Sequence, residues 1–512
     1  MDLAALPWLG FFVPIILLLV KLIYTSSPPA RGKRLPPGPW QLPLVGSLHH
    51  VLLSRHGALP HRALRELSGT HGPLMLLRFG AVPTLVVSST EAAREVLKTH
   101  DAAFASRHLT PTLAIFSRGG EGILFSPYAD LWRQLRKICV LELLSARRVQ
   151  SFRHIREDEA ANLLRSVADD CSRGGSAAVV KIGELMCRMV TDIVMRSAIG
   201  SRCPRRDEFL QELDIAGKLA GGFNLADMYP SSTLARWLSS AIRETERCNR
   251  KVRNIMADII RGRADGTGGG EGESEEEDLL SVLLRLQKDG GVQCPLTTDI
   301  ITTFVQDIFA AGSETSSTTL EWTMSELMRN PRVLRKAQAE VRDAFEGRRK
   351  LTEDDVGRLS YLHLVIKESL RLHLPVPFLL PRQCREPCEV MGYDIPVGTK
   401  VLVNAWALAR DGAYWEDAEA FRPERFAEET VDFKGGDFEF IPFGAGRRIC
   451  PGIALGLANM ELVLASLLYH FDWELPDGGR PEGLDMSEEF GITIRRKSKL
   501  VLRAVQRIPF AN

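Results

Sequence analysis

Phe443-Gly-Ala-Gly-Arg-Arg-Ile-Cys450-Pro-Gly452 is the stretch on which the reading of this chain depends. Glycines at 444, 446 and 452 let the backbone bend tightly and approach a bulky group closely. Pro451 suits a first helical position, and the run from 453 to 468 is apolar almost all round, which predicts a buried helix. Cys450 is thereby placed at a helix amino end. There the free N–H groups and the helix dipole, with Arg447 and Arg448 alongside, favour thiolate over thiol.

A stabilised thiolate in a glycine-rich bend is a nucleophile or a metal ligand. A nucleophile needs a positioned histidine base, and the nearest, His470, lies beyond the helix. Zinc needs several ligands. The nine cysteines are scattered, as expected of reduced thiols in a cytosolic compartment, and Cys384 and Cys388 have no second Cys or His pair close by. Haem iron is satisfied by a single thiolate.

Working outward, Glu368 and Arg371 lie three apart on an expected helix and can pair. Pro423-Glu-Arg-Phe426 follows. Ala310, Ala311 and Gly312, then Ser313, Glu314 and Thr315, interrupt an otherwise apolar helix over 304–319. Small residues there admit a flat ligand, and the Thr315 hydroxyl can bond a helical carbonyl and open the ladder. Trp132 and Arg136 share one helix face.

These elements resemble, in order, the W-x-x-x-R helix, the oxygen-activation turn, the E-x-x-R helix, the P-E-R-F element and the F-x-x-G-x-R-x-C-x-G signature of the cytochrome P450 family. The likeness extends over essentially the whole chain. It implies a mainly α fold with small β-sheets, one haem-thiolate catalytic domain over 40–512, and monooxygenase activity. By that resemblance Cys450 is the axial ligand of haem iron, and Phe443, Gly444 and Gly446 shape the cofactor loop. Trp132, Arg136, Arg382 and Arg448 meet the haem propionates, while Glu368, Arg371 and Arg425 form a buried bracing network. Thr315 and Glu314 deliver protons during dioxygen activation.

The family's variable segments map substrate contacts onto Leu113, Phe116, Phe304, Asp307, Ile308, Ala311, Val376, Phe378, Phe490 and Ile492. Asp307 is the one acid among them, and a lining so apolar suits a hydrophobic substrate. With no nicotinamide or flavin fingerprint in the chain, NADPH acts only indirectly, through NADPH-cytochrome P450 reductase, with Arg133, Lys137 and Arg447 as candidate docking cations. The motif wording is similar to plant microsomal members of specialised metabolism, terpenoid hydroxylases foremost. Phenolic, indole or oxime substrates, a reductase-independent isomerase or dehydratase, and a haem-binding sensor are the rival readings. Leu372-His-Leu-Pro375 departs from the Leu-His-Pro-Pro usual in plant relatives.

Residues 3–20 carry no charge, and Lys21, Arg31, Lys33 and Arg34 follow them. A secretory signal would place its basic residues first, whereas Asp2 is acidic. A retained anchor over 1–24, single-pass in the endoplasmic reticulum membrane with the catalytic domain cytosolic, is therefore expected. Prolines at 36, 37 and 39 make 25–39 a stiff hinge. Residues 264–278, rich in glycine and then glutamate, read as a solvated, mobile loop. With 65 Lys+Arg against 64 Asp+Glu, nucleic-acid binding is disfavoured. Strands are expected at 74–79, 84–88, 389–395 and 399–403, and helices at 90–99, 332–345 and 351–372, with Asn330 capping the second.

Overall fold

Helices dominate the described residues, with small sheets and long irregular loops between them. The computed structural model describes residues 34–174, 179–203, 205–264, 277–428 and 430–509. The anchor expected over 1–24, the hinge as far as residue 33, and all of the acidic loop except Ala264, Glu277 and Asp278 lie outside the described residues.

The helices that place the site are α1 (Asp130–Ile138), α2 (Ile182–Ile199), α3 (Arg206–Leu219), α4 (Thr298–Arg329), α5 (Ser360–Leu372) and α6 (Ile453–His470). A five-stranded sheet stands beside them, built from β1 (Leu74–Phe79), β2 (Val82–Val87), β3 (Ser106–Arg107), β4 (Arg382–Gln383) and β5 (Lys400–Val403). Its order is β1-β2-β5-β4-β3, with β2 and β5 parallel and Thr84 opposite Lys400. Residues 34–39 run along this sheet: Leu76 N–H donates to Pro37 O at 2.9 Å.

Thr297 caps α4 by accepting from Ile300 N, and the helix continues unbroken for 32 residues through the core against α2, α5 and α6. The expected interruption at 310–315 does not form. Thr315 Oγ1 donates to Ala311 O at 2.6 Å while the ladder stays closed. Gly312 serves packing instead, since a Cβ there would lie 3.1 Å from Val194 of α2.

Four local expectations are also corrected. Asn330 does not cap the helix it precedes; its Nδ2 donates back to Glu326 O at 2.8 Å and closes the end of α4. The helix expected over 351–372 is two pieces, Glu353–Val356 and α5. The one over 90–99 changes at Glu95 from α to a wider π turn. Strand 389–395 is a hairpin whose turn places Met391 and Gly392 at φ 49° and 78°.

Candidate active site

The cysteine loop is tied at both ends. Cys450 N–H donates to Phe443 O at 2.9 Å, and Gly444 and Gly446 take φ of 71° and 69°. A Cβ on Gly446 would meet Leu97 O at 2.1 Å, so backbone, not side chain, forbids any larger residue. Asp101 holds the bend, its carboxylate accepting from Arg447 N at 2.8 Å and from Arg382 Nη1 at 2.9 Å. Phe443 packs edge-on against Phe433, with ring centroids 5.4 Å apart.

Helix α6 begins at Ile453 with Gly452 as its cap, so Pro451 stands ahead of the helix rather than at its first position. The arginines expected to favour the thiolate face elsewhere. Arg447 is turned to Asp101 and the Tyr128 ring, and Arg448 donates to Ala105 O and Ser126 O. Burial therefore pushes the Cys450 thiol up, opposed by the Gly452 N–H, which donates to Sγ at 3.3 Å, and by the Arg136 charge. Such a sulfur is a poor free nucleophile, but it loses its proton when it coordinates a metal cation.

Near this loop four guanidinium groups gather: Arg107, Arg136, Arg382 and Arg448. Arg107 is buried, and burial, then Arg448, Arg382 and Arg136, hold it well below the usual guanidinium range. Burial, then Arg382 and Arg136, bring Arg448 down to about 9. Among the described residues Asp101 is the carboxylate in ion-pair contact with this group. Four cations against one carboxylate make a site that calls for anions, and the two propionates of haem supply them. The donor set fits that cofactor. Of these side chains Arg136 alone has no hydrogen bond or ion pair among the described residues; the Trp132 indole N–H donates to Ile123 O at 3.2 Å, and Arg107, Arg382 and Arg448 already donate to backbone carbonyls. Arg107 was not foreseen; it lies in the mixed stretch Phe104-Ala-Ser-Arg-His-Leu109, which carries no local signal of burial.

On α4, the half-buried residues Ile308, Ala311 and Thr315 share one face of an otherwise buried helix. The neighbouring Glu314 accepts from Thr493 Oγ1 and lies 3.6 Å from Arg495 Nε. Burial pushes its carboxyl up and Arg495 draws it back. The Asp307 carboxylate accepts from Leu124 N at 3.0 Å and pins the 118–126 loop, with burial raising it to about 7. Phe304 is likewise packed in the main core, with 1% of its surface exposed.

A separate cavity brings together Leu113, Phe378, Phe490 and Ile492 of the expected substrate set, and adds Phe223, Leu379 and Lys400. Phe490 packs edge-on against Phe223 and Phe378, centroids 5.8 and 6.2 Å away. Phe116, Val376, Ile308 and Ala311 do not line it. Phe223 and Lys400 come from segments remote in sequence, which no local pattern joins to the others.

Behind the loop, Glu368 and Arg371 of α5 are fully buried and paired at 2.8 Å, and Arg425 Nε joins the same carboxylate at 3.1 Å. On the outer face of α1, Arg133 pairs with Asp130, while Lys137 is exposed with no ion pair among the described residues.

Comparisons with known proteins agree with this geometry. The family model described as Cytochrome P450 matches residues 36–502. The chain is 50% identical over 480 residues to dolabradiene monooxygenase of Zea mays, covering 93% of this chain and 94% of that one. It is 51% identical over 483 residues to ent-isokaurene C2/C3-hydroxylase of Oryza sativa subsp. japonica, covering 93% of each. Among solved structures, a zebra fish cytochrome P450 structure with abiraterone superposes with a TM-score of 0.72 at 25% identity, covering 88% of this chain and 99% of that one.

Proposed function

From membership of the cytochrome P450 family, to which this chain belongs, we propose that its reaction is the hydroxylation of a terpenoid. As a member it is a haem monooxygenase: RH + O2 + 2 e− + 2 H+ → ROH + H2O, with the electrons supplied by a redox partner. The observation that carries the terpenoid reading is the likeness, over more than nine-tenths of the chain, to relatives named dolabradiene monooxygenase and ent-isokaurene C2/C3-hydroxylase; the apolar side chains Leu113, Phe223, Phe378, Phe490 and Ile492 gather around a small cavity of about 30 Å³.

Haem, when bound, supplies dioxygen binding and O–O cleavage, which thiolate donation favours. The chain's own residues do the rest. Cys450 ligates the iron. Arg136, whose guanidinium has no other partner among the described residues, would meet the propionates, with the charges of Arg107, Arg382 and Arg448 beside it, and Glu314 with Thr315 holds and moves protons on the α4 face. The Thr315 hydroxyl, resting on Ala311 O, turns to donate toward the cofactor side. Thr315→Ala removes that donor. It is expected to leave haem binding intact and to uncouple NADPH oxidation from product by about tenfold or more; unchanged coupling, read as NADPH consumed per alcohol formed, would take Thr315 out of the mechanism.

The redox partner is NADPH-cytochrome P450 reductase, received on the basic outer face of α1 with Arg447. Lys137→Glu is expected to raise the KM for reductase several-fold at low salt, with the effect shrinking as ionic strength rises. A salt-independent effect argues against docking there. Residues 40–512 form the catalytic domain, and 1–24 anchor it in the endoplasmic reticulum membrane with the domain in the cytosol. Exposed apolar side chains support that placement: Trp40 at 64%, Leu53 at 84% and Trp237 at 72%. Their segments adjoin, since Tyr229 Oη donates to Leu44 O at 2.6 Å.

Product analysis of membranes containing this chain and a reductase, supplied with terpenes, phenolics and indoles, tests the reading. Alcohols from terpenes alone are the expected result. Turnover confined to phenolics or indoles, or turnover without NADPH, overturns it.

A further inference from the structure

Glu314 is enclosed by two elements besides its own helix. The hairpin of strands Glu488–Phe490 and Ile494–Arg496 is fastened to α4 and α3 through its backbone: the Trp322 indole N–H donates to Ile494 O at 3.2 Å, and Ile492 N–H donates to Gly217 O at 3.0 Å. Two side chains of this hairpin segment then close on the acid. Thr493 Oγ1 donates to Glu314 Oε1, and Arg495 Nε stands 3.6 Å from the same oxygen. Helix α3 covers the other oxygen, since a Cβ on Gly217 would lie 3.3 Å from Oε2.

Arg495 faces two carboxylates at once. Its Nη1 donates to Asp214 of α3, whose second oxygen lies 3.4 Å from Lys218 Nζ, and Lys218 reaches Glu489 of the hairpin at 3.3 Å. Exposure rises along this series. The Glu314 and Arg495 side chains are 18% and 11% exposed, those of Asp214 and Lys218 44% each, so the network runs from an interior acid to solvent.

Burial pushes the Glu314 carboxyl up, the charge of Arg495 and the Thr493 hydroxyl draw it down, and Asp214 pushes it up again. Lys499 adds a weaker downward pull, and Cys187 of α2 is the remaining titratable neighbour. Burial also opposes the Arg495 charge, but Glu314 and Asp214 outweigh it and keep the guanidinium cationic. An acid that must give up and regain a proton in every cycle works best with an affinity near ambient pH. Burial alone would make Glu314 hold its proton too tightly, and a fixed cation offsets that.

We propose that Arg495 is a positioning residue for the monooxygenase reaction: from the hairpin it orients the Glu314 carboxylate and offsets its burial, while Asp214 joins the pair to solvent, where protons re-enter. In each transfer Glu314 in its acid form passes one proton on toward Thr315 and takes one back from solvent, Arg495 keeping its own throughout. The inference rests on the proton-moving role given to Glu314 above and adds the residues that govern it.

The test uses the full-length holoenzyme in lipid nanodiscs. Infrared spectroscopy follows the carboxyl C=O band across pH, assigned to Glu314 by its loss in Glu314→Gln. Arg495→Met is expected to move that titration to higher pH and to lower the alcohol formed per NADPH severalfold, with haem content and the carbon monoxide spectrum unchanged. Asp214→Asn breaks the same ion pair but removes a negative charge, so it is expected to move the titration to lower pH. Opposite signs are the mark of electrostatic control, because a hairpin merely loosened by losing the pair would shift both variants the same way. Arg495→Lys is expected to restore most of the coupling. A Glu314 titration that ignores Arg495→Met, or that moves in one direction in both variants, overturns the inference. Unchanged coupling in Glu314→Gln overturns the proton-moving role on which it rests.

Discussion

Cys450→Ala is expected to abolish the thiolate–iron bond and, with it, all monooxygenase activity. The sulfur sits in a bend whose backbone has no freedom to reposition it: Gly446 abuts Leu97 O, and Cys450 N–H is fixed on Phe443 O. No other cysteine belongs to this loop. Deleting one half-buried sulfur costs on the order of 1 kcal/mol of packing, so the variant should still fold. Loss of a supporting second-layer contact commonly costs a metal site 10–100-fold, roughly, and loss of the ligand itself should exceed that. The readout is the purified, reduced protein under carbon monoxide, which should lack the strongly red-shifted Soret band while circular dichroism stays that of the parent. Retention of that band would refute Cys450 as the ligand.

Glu368→Gln and Arg371→Lys are expected to be the most damaging substitutions to the fold itself. The Glu368 carboxylate accepts from Arg371 Nη2 and Nε at 2.8 Å each, from Arg425 Nε at 3.1 Å and from Arg422 N at 2.9 Å. Arg371 Nη1 reaches on to Ala409 O and Ala418 O at 2.7 Å each, and Arg425 Nη1 to Glu416 O at 2.6 Å. One carboxylate and two forked cations thus sew the irregular 409–425 segment to α5. A buried network of this kind adds little beyond an apolar core of the same shape, but breaking it strands a charge in the interior at about 3–5 kcal/mol. That is a large part of the usual 5–15 kcal/mol, roughly, of a folded domain. Lysine does not rescue Arg371, because an ammonium cannot reproduce the planar fork that serves Glu368 and the Ala409, Ala418 and Ala420 carbonyls together. Both variants should lose haem and protease resistance in parallel; a variant of either kind with full haem content and parental urea resistance would refute the bracing role.

The sequence made the fold class legible because its signals are local. The apolar run after Gly452 is buried as α6, and β1 spans the short apolar run expected at 74–79. Within the site, the cysteine loop and the Glu368–Arg371 spacing were readable for the same reason: each is a short pattern. What escaped was set by tertiary contact. The composition of 310–315 suggested an opened helix, yet Val194 packs on Gly312 and the ladder holds. The Asp307 carboxylate is held by a backbone N–H on a loop some 180 residues earlier, a pairing with no trace in spacing. Arg107 and Lys400 escaped because a single cation inside a strand looks like any surface residue until the sheet buries it.

The gathering of Arg107, Arg136, Arg382 and Arg448 around one carboxylate also bears on how the enzyme matures. Like charges forced together in a dry interior oppose closure of the polypeptide around them, and the acid arms of the porphyrin remove that opposition as they enter. Cofactor insertion then becomes a late step of folding rather than an addition to a finished scaffold. Cells given extra haem precursor are therefore expected to accumulate more folded enzyme than cells that are not.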